Sequence, residues 1–394
     1  MANVSVSMAA SACSRAKCHV GPLKGLRVIE LQGIGPAPFC GMLLADLGAE
    51  VISIARHSSP ADRTPLISER GKVSIALNLK VPEGIDVVLK LCEHSNVLIE
   101  GFRPGVTERL GIGPEPCMAR NPRLVYGRMT GWGQTGPLAK VAGHDINYIS
   151  LSGALHAVGR AGERPVPPLN LVGDFGGGAM FLAFGVMSAL FEAQCSGIGQ
   201  VVDVSMVEGS AALMHMMYAL KAQGQWNDAR GANLLDGAAH FYDTYETADG
   251  KYVSIGALEP EFYRLLVQLT GVDAKEFSTH LDPKHWPALR DKLTAVIKQK
   301  TREEWCAIME GTDVCFAPVL SMSEAPQHPH NQARGSFVDV AGVTQAAPAP
   351  RFSRTHPHVP KGASPAGSDT PAVLRSVGYS ESQIQSLREC GALS

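Results

Sequence analysis

Leu26-Arg27-Val28-Ile29-Glu30-Leu31 is an apolar, β-prone run broken by Gly33 and Gly35-Pro36. A helical stretch from Phe39 to Leu47 follows and stops at Gly48, and Val51-Ile52-Ser53-Ile54 reads as a second strand. Two strands joined through a helix by such short connections form a βαβ unit, so the sheet they start is parallel. The alternation then continues. Residues 84–95 carry a helical pattern, Asn96 to Glu100 and Leu124 to Met129 read as strands, an apolar helix runs on from Asp174, and Gln200 to Val204 reads as a strand. The expected fold class is α/β, with a doubly wound, Rossmann-like large domain. Ligands of such sheets bind beyond the carboxyl ends of the strands. Glu100-Gly101-Phe102-Arg103, Gly131-Trp132-Gly133-Gln134 and the turn after Ile54 all fall at such places. The first turn is not a dinucleotide fingerprint, because Pro38 stands where the third glycine belongs.

The second half has a different character. Ser205 to Gln223 reads as one Met-rich helix, with Met206, Met214, Met216 and Met217 as packing material, and 224–237 as a linker. Phe241 to Tyr245 and Tyr252 to Gly256 flank Asp249-Gly250, a strong hairpin signal. Helical patterns at 259–269, 285–299 and 301–310 complete a smaller α+β domain. Residues 341–372 hold six prolines and read as an extended surface arm. A helix capped by Thr370, with Pro371 at its first position, follows, and then one with a Ser380–Gln383 capping box that ends at Gly391. The expected organisation is a tail at 1–22, a large domain at 23–205, a linker helix and loop at 206–237, a small domain at 238–337 and a return arm with C-terminal helices at 338–394.

A chain of 394 residues suits two domains, and 45% apolar against 18% charged residues provides a core. A net charge of −2 argues against a general nucleic-acid binder. Nine cysteines without a CxxC pair suggest reduced thiols in an intracellular protein. The apolar run from Ala179 to Phe191 falls short of the roughly 18 residues of a membrane span and reads as a buried core helix. Residues 1–29 carry Arg15, Lys17, Lys24 and Arg27 and no acid, which fits a mitochondrial presequence and a disordered tail equally. The terminal Gly-Ala-Leu-Ser is not the Ser-Lys-Leu peroxisomal address. The expectation is a mitochondrial or peroxisomal location.

Two groups stand out as chemistry. His144 sits in Gly143-His144-Asp145-Ile146-Asn147-Tyr148, and Asp174 in Gly173-Asp174-Phe175-Gly176-Gly177-Gly178. Alone, a histidine is more often structural, and an aspartate before a helix is more often an N-cap. A histidine base needs an orienting partner. Asp145 could serve, and so could Glu259, whose alternative reading is a first-turn charge favoured by the helix dipole. Arg56, Arg63, Arg70, Lys72 and Lys80 outnumber Asp62 and Glu69 between Val51 and Lys80, with Arg103 and Arg109 beyond. That excess suits a phosphorylated ligand, or an ordinary solvated face. No G-x-S-x-G elbow, P-loop or HExxH is present.

Taken together, Gly25 to Leu31, Ala45-Asp46-Leu47-Gly48-Ala49-Glu50-Val51, Leu77-Asn78-Leu79-Lys80, Gly131 to Gln134, Gly143 to Tyr148, Gly173-Asp174-Phe175 and Met206-Val207-Glu208-Gly209 form a specific set. The chain resembles the family III CoA-transferases of the CaiB/BaiF type and, through Gly-His-Asp-Ile-Asn-Tyr, the α-methylacyl-CoA racemases among them. The resemblance runs from about Leu23 to Val340. It implies proton transfer at the α-carbon of a 2-methylacyl-CoA thioester, with no metal or redox cofactor, CoA being part of the substrate. His144 would serve one enantiomer and Asp174 the other. Glu259 would orient His144, and backbone N–H groups near Asp174 would meet the enolate oxygen. The glycines after Asp174 would let the thioester approach the backbone. The implied CoA contacts are Arg56, Leu77, Asn78, Leu79, Lys80, Gly101, Phe102, Arg103, Arg109, Gly143, Asp145, Ile146, Asn147 and Tyr148. The roles of Arg63 and Arg70 stay open. The resemblance further implies an interlocked homodimer, in which each C-terminal segment completes its large domain and Glu259 reaches His144 across the interface. The rival readings are a transferase of the same fold, with Asp174 as nucleophile, and a non-enzymatic acyl-CoA-binding protein.

Overall fold

The computed structural model describes residues 21–56 and 67–393. Arg63 and most of the tail at 1–22, with its presequence reading, lie outside the described residues. The elements up to the sixth strand are β1 (Arg27–Leu31), α1 (Pro36–Asp46), β2 (Glu50–Arg56), β3 (Val73–Leu77), α2 (Pro82–Glu93), β4 (Val97–Glu100), α3 (Val106–Leu110), α4 (Pro114–Arg120), β5 (Val125–Thr130), α5 (Asp145–Leu151), α6 (Ala154–Ala157), α7 (Phe181–Ser196) and β6 (Val201–Ser205). All six strands pair in parallel, in the order β3-β2-β1-β4-β5-β6. This is the strand order of a doubly wound sheet, with its reversal between β1 and β4.

The two-residue period of the strands divides the core. Val28, Val51, Val97, Ile99 and Val125 face α1 and α7, while Ile29, Leu31, Ile52, Ile54, Leu98 and Tyr126 face α2 and α4. The second face is shared with Val373, Leu374, Ile384 and Leu387 of the last two helices, α14 (Thr370–Ser376) and α15 (Glu381–Glu389). Before them come α8 (Met206–Leu213), α9 (His215–Ala222), β7 (Tyr242–Glu246), β8 (Tyr252–Gly256), α10 (Pro260–Thr270), α11 (Trp286–Ile297), α12 (Arg302–Met309), β9 (Phe316–Val319), α13 (Pro329–Arg334), β10 (Phe337–Val340) and β11 (Val343–Ala346). Strands β7, β8 and β9 form an antiparallel sheet packed on α10, α11 and α12.

Several expectations need correction. Ser205–Gln223 is two helices, because the chain turns at Met214. Part of the Pro-rich arm is ordered sheet: β11 pairs with β10 through Phe337↔Ala346 and Val340↔Val343. Asp369, not Thr370, holds the N-cap position of α14. The side chains of both instead secure β3, whose Ser74 N–H donates to Asp369 Oδ2 (2.9 Å) and whose Ala76 N–H donates to Thr370 Oγ1 (3.2 Å). The Ser380–Gln383 capping box is present.

The basic excess after Val51 is partly internal. Arg70 is buried against Asp46 (2.5 Å) and donates to Gln345 Oε1 (2.7 Å) and the Ala346 carbonyl (2.8 Å), so it fastens β11 to α1. Lys72 is buried on Glu30 (2.7 Å) and the Pro38 carbonyl (3.0 Å). Burial pushes the Glu30 carboxyl up to about 7, against the opposing pull of Lys72. Buried charges are tolerable only when paired and saturated with hydrogen bonds, and these are.

Helix α7 is not a fully buried core helix. Leu182, Val186, Ala189 and Ala193 pack inward, while Phe184 (73% exposed) and Phe191 (72%) face outward with Met180 and Met187. The helical stretch Leu171–Ser196 is long and apolar enough to cross a membrane by length and composition alone, yet one face of it is committed to β5 and β6.

In the antiparallel module, His240 is fully buried. Its Nε2 donates to Tyr263 Oη (2.8 Å), which donates on to the Phe277 carbonyl (3.0 Å). Burial, helped by His280 and Arg290, holds the imidazole down at about 3. Below about pH 6.5 the unfolded chain takes up a proton that the folded one refuses, so stability falls as pH drops from there toward 3. Thermal unfolding followed against pH is expected to show this loss, with a shallower slope for His240→Gln. An unchanged slope would remove His240 from the acid response.

Candidate active site

A cavity of about 390 Å³ opens at the carboxyl ends of β1, β4 and β5, where the strand order reverses. Ile34 and Gly35 follow β1, Gly101, Phe102, Arg103 and Pro104 follow β4, and Trp132 follows β5. Gly143, His144, Tyr148 and Asp174 close the lining. Loops at strand ends can present side chains here because the sheet's own hydrogen bonding has stopped.

The floor under Phe102 and Arg103 is an ion network. Arg128 Nε donates to Glu100 Oε1 (2.8 Å) and Nη1 to Glu108 Oε1 (2.7 Å), while Glu100 Oε2 accepts the Phe102 N–H (2.7 Å). This network fixes the bend after β4 and leaves Arg103 and Arg109 exposed, without an ion pair among the described residues. Such arginines are open to an anionic ligand.

His144 is exposed at the N-cap of α5, where its backbone N–H donates to Asn147 Oδ1 (3.1 Å). Tyr148, one turn on, donates through its hydroxyl to the Gly143 carbonyl. The Tyr148 ring meets Trp132 edge-on at 4.9 Å, and Trp132 Nε1 donates to the Val141 carbonyl (3.1 Å). The segment that carries His144 is therefore clamped by two aromatic rings.

Asp174 does not cap a helix. It lies inside a wide π-helical turn, Leu171–Met180, that leads into α7. Such turns widen the backbone spiral and recur at functional sites. Its Oδ2 accepts a bond from Asn170 Nδ2 (3.3 Å). Burial raises the Asp174 pKa, as does the nearby Asp145 charge, while Asn170 and His144 pull the other way. His144 and Asp174, 30 residues apart in sequence, thus reach one cavity, and the His144 charge acts on Asp174.

Other expected residues fall elsewhere. The Asp145 side chain is buried and accepts the Gly173 and Asp174 N–H groups, each at 2.7 Å, so its Oδ2 is engaged within the protein. The same bonds occupy the amides expected to meet the enolate oxygen. At the start of α5, the Asp145 and Ile146 N–H groups meet no acceptor among the described residues. Among the glycines after Asp174, Gly177 makes a close backbone crossing with α8: a Cβ on Gly209 would lie 1.8 Å from the Gly177 carbonyl oxygen. Leu77 lies in the core, Asn78 Nδ2 donates to the Gly391 carbonyl (3.1 Å), Leu79 is half-buried and Lys80 is exposed. Arg56 is the last residue of β2. Ile146 and Asn147 are exposed on α5. Glu259 is exposed at the N-cap of α10, and within one chain it does not line the cavity with His144. Trp132 belongs to the Gly131–Gln134 stretch expected beyond a strand end, though without a role, while Ile34, Gly35 and Pro104 join the lining unannounced by any motif. An aromatic residue between two glycines directly after a strand was the available signal for Trp132.

A family model described as CoA-transferase family III matches residues 23–370. The α-methylacyl-CoA racemase of Mus musculus is 47% identical over 368 residues, covering 93% of this chain and 96% of that protein. The α-methylacyl-CoA racemase of Homo sapiens is 44% identical over the same shares. A succinyl-CoA–D-citramalate CoA-transferase of Chloroflexus aurantiacus is 33% identical, covering 85% of this chain and 88% of that protein. Among solved structures, a CAIB/BAIF family protein from Brucella suis superposes with a TM-score of 0.77 at 24% identity, covering 91% of this chain and all of that one. By a match that spans most of its length, the chain belongs to CoA-transferase family III.

Proposed function

We propose that this chain epimerises (2R)- and (2S)-2-methylacyl-CoA thioesters. The observation that carries the reading is one cavity lined by an imidazole and a carboxylate from separate segments, in a chain 44–47% identical to two racemases. A thioester carbonyl acidifies its α-hydrogen, and inversion needs one group on each face of the planar enolate. His144 takes or returns the proton on one face and Asp174 on the other. Arg103 and Arg109 receive CoA phosphates, with Arg56 and Lys80 in the same role further along, and the backbone around Leu77 to Leu79 and Gly101 to Phe102 contributes to the CoA seat. Tyr148 and Gly143 hold the segment that presents His144, and Ile146 and Asn147 flank it on α5. The amides that open α5 meet the enolate oxygen.

The same reading includes a homodimer. The outward stripe of Met180, Phe184, Met187 and Phe191 is an apolar face that one chain leaves uncovered, as a second copy would require. In that assembly Glu259 of the second copy orients His144. The proposed location is mitochondrial or peroxisomal.

Incubation of either epimer in D₂O tests the reaction. Deuterium at the α-carbon of both epimers is the expected result. Acyl exchange with a free acid and no α-deuterium would instead assign Asp174 as the nucleophile of a CoA-transferase.

A further inference from the structure

We propose that Asp145 is a positioning residue that holds the two bases at a fixed separation. The inference rests on the epimerase reading above. Asp145 follows His144 directly in the chain, and its buried carboxylate reaches across to the other base: Oδ2 accepts both the Gly173 N–H and the Asp174 N–H at 2.7 Å. One side chain therefore ties the segment bearing the imidazole to the turn bearing the carboxylate. The fit is tight, since a Cβ on Gly173 would lie 2.6 Å from Asp145 Oδ2. The second oxygen, Oδ1, is buried with no hydrogen-bond partner among the described residues. An asparagine would keep the accepting oxygen but bury an equally unpartnered NH2 in place of Oδ1, so what the carboxylate adds over an amide is its charge. The retained charge has a consequence at the site, because it raises the pKa of Asp174. The groups acting on Asp174 are Asp145 and His144 at the head of α5 and Asn170 from its own turn. Tyr148 of α5 feels Asp174 in return, with Arg103 beyond it, while α1 and α8, also packed on the turn, add no charge to the balance.

A tether between opposing bases predicts a specific kinetic signature. Deuterium can enter the α-carbon with retention through one base alone, but inversion needs both in register. With each epimer in D₂O, Asp145→Ala is expected to lower inversion by about a hundredfold and the ratio of inversion to retained exchange by about tenfold, with KM within about threefold. Asp145→Asn keeps an acceptor oxygen and loses the charge. It is expected to restore most of that ratio while the acid limb of the kcat profile moves to lower pH. An unchanged ratio and an unchanged acid limb, in variants of an enzyme whose wild type epimerises, would overturn the proposal. A wild type that takes up no α-deuterium would show the epimerase reading itself to be wrong. Should both variants fail to fold, amide hydrogen exchange in the wild-type protein decides: slow exchange at Gly173 and Asp174 supports the tether, and rapid exchange at both refutes it.

Discussion

Asp174→Asn is expected to lower epimerisation by about 10³–10⁴-fold with little change in KM, the range for removal of a general base. The amide cannot take a proton, yet it preserves the local structure. The bond to the Asp145 carboxylate is donated by the Asp174 backbone N–H and survives, and the amide oxygen can still accept from Asn170. Stability should be equal or higher. Burial and the Asp145 charge both oppose ionisation of Asp174 in the folded state, so above its raised pKa the carboxylate is a cost that asparagine removes. Deuterium should still enter, with retention, the epimer whose α-hydrogen faces His144. Loss of exchange from both epimers alike would contradict a two-base site. A thermal melt beside the D₂O assay separates lost chemistry from lost fold.

His144→Ala is the complementary case. The imidazole is exposed and its cap position is held by backbone, so the change leaves α5 and its Asn147 bond in place. Epimerisation is expected to fall by about 10²–10⁴-fold while CoA-ester binding stays near wild type. Exchange with retention should now persist only in the opposite epimer, the mirror image of the Asp174→Asn pattern. Acyl transfer to a free acid would be untouched by this substitution if Asp174 worked as a nucleophile. Undiminished epimerisation would remove His144 from the mechanism. Because forward and reverse kcat/KM of an epimerase are bound by one equilibrium constant, the retained-exchange pattern assigns a face to each base, and inversion rates alone do not.

Much of this site was legible before any fold. Gly143 to Tyr148 and Gly173 to Phe175 mark the two proposed bases, and strand ends at Glu100 and Met129 mark the region of the cavity. The basic excess was half misleading. Arg70 and Lys72 look identical in sequence to ligand-binding cations, but the fold closes Asp46 and Glu30 over them. Asp145 could be read as a partner for His144 or as a CoA contact, and its role as a tether depends on a contact 28 residues away. The outward face of α7 was equally hidden, since an apolar run does not say which of its faces meets the sheet.

Short strand–helix–strand connections, readable from residue order alone, admit only a parallel sheet, and residue types alone single out the His144 imidazole and the Asp174 carboxylate. It takes the folded chain to bring His144 and Asp174 to one cavity, to tie their segments through Asp145, and to withdraw Arg70 and Lys72 into buried pairs. Local patterns record what a residue can form with its neighbours in the chain. Opposing groups, buried partners and raised carboxyl pKa values come from segments far apart in sequence, and burial around them exists only once the chain has folded.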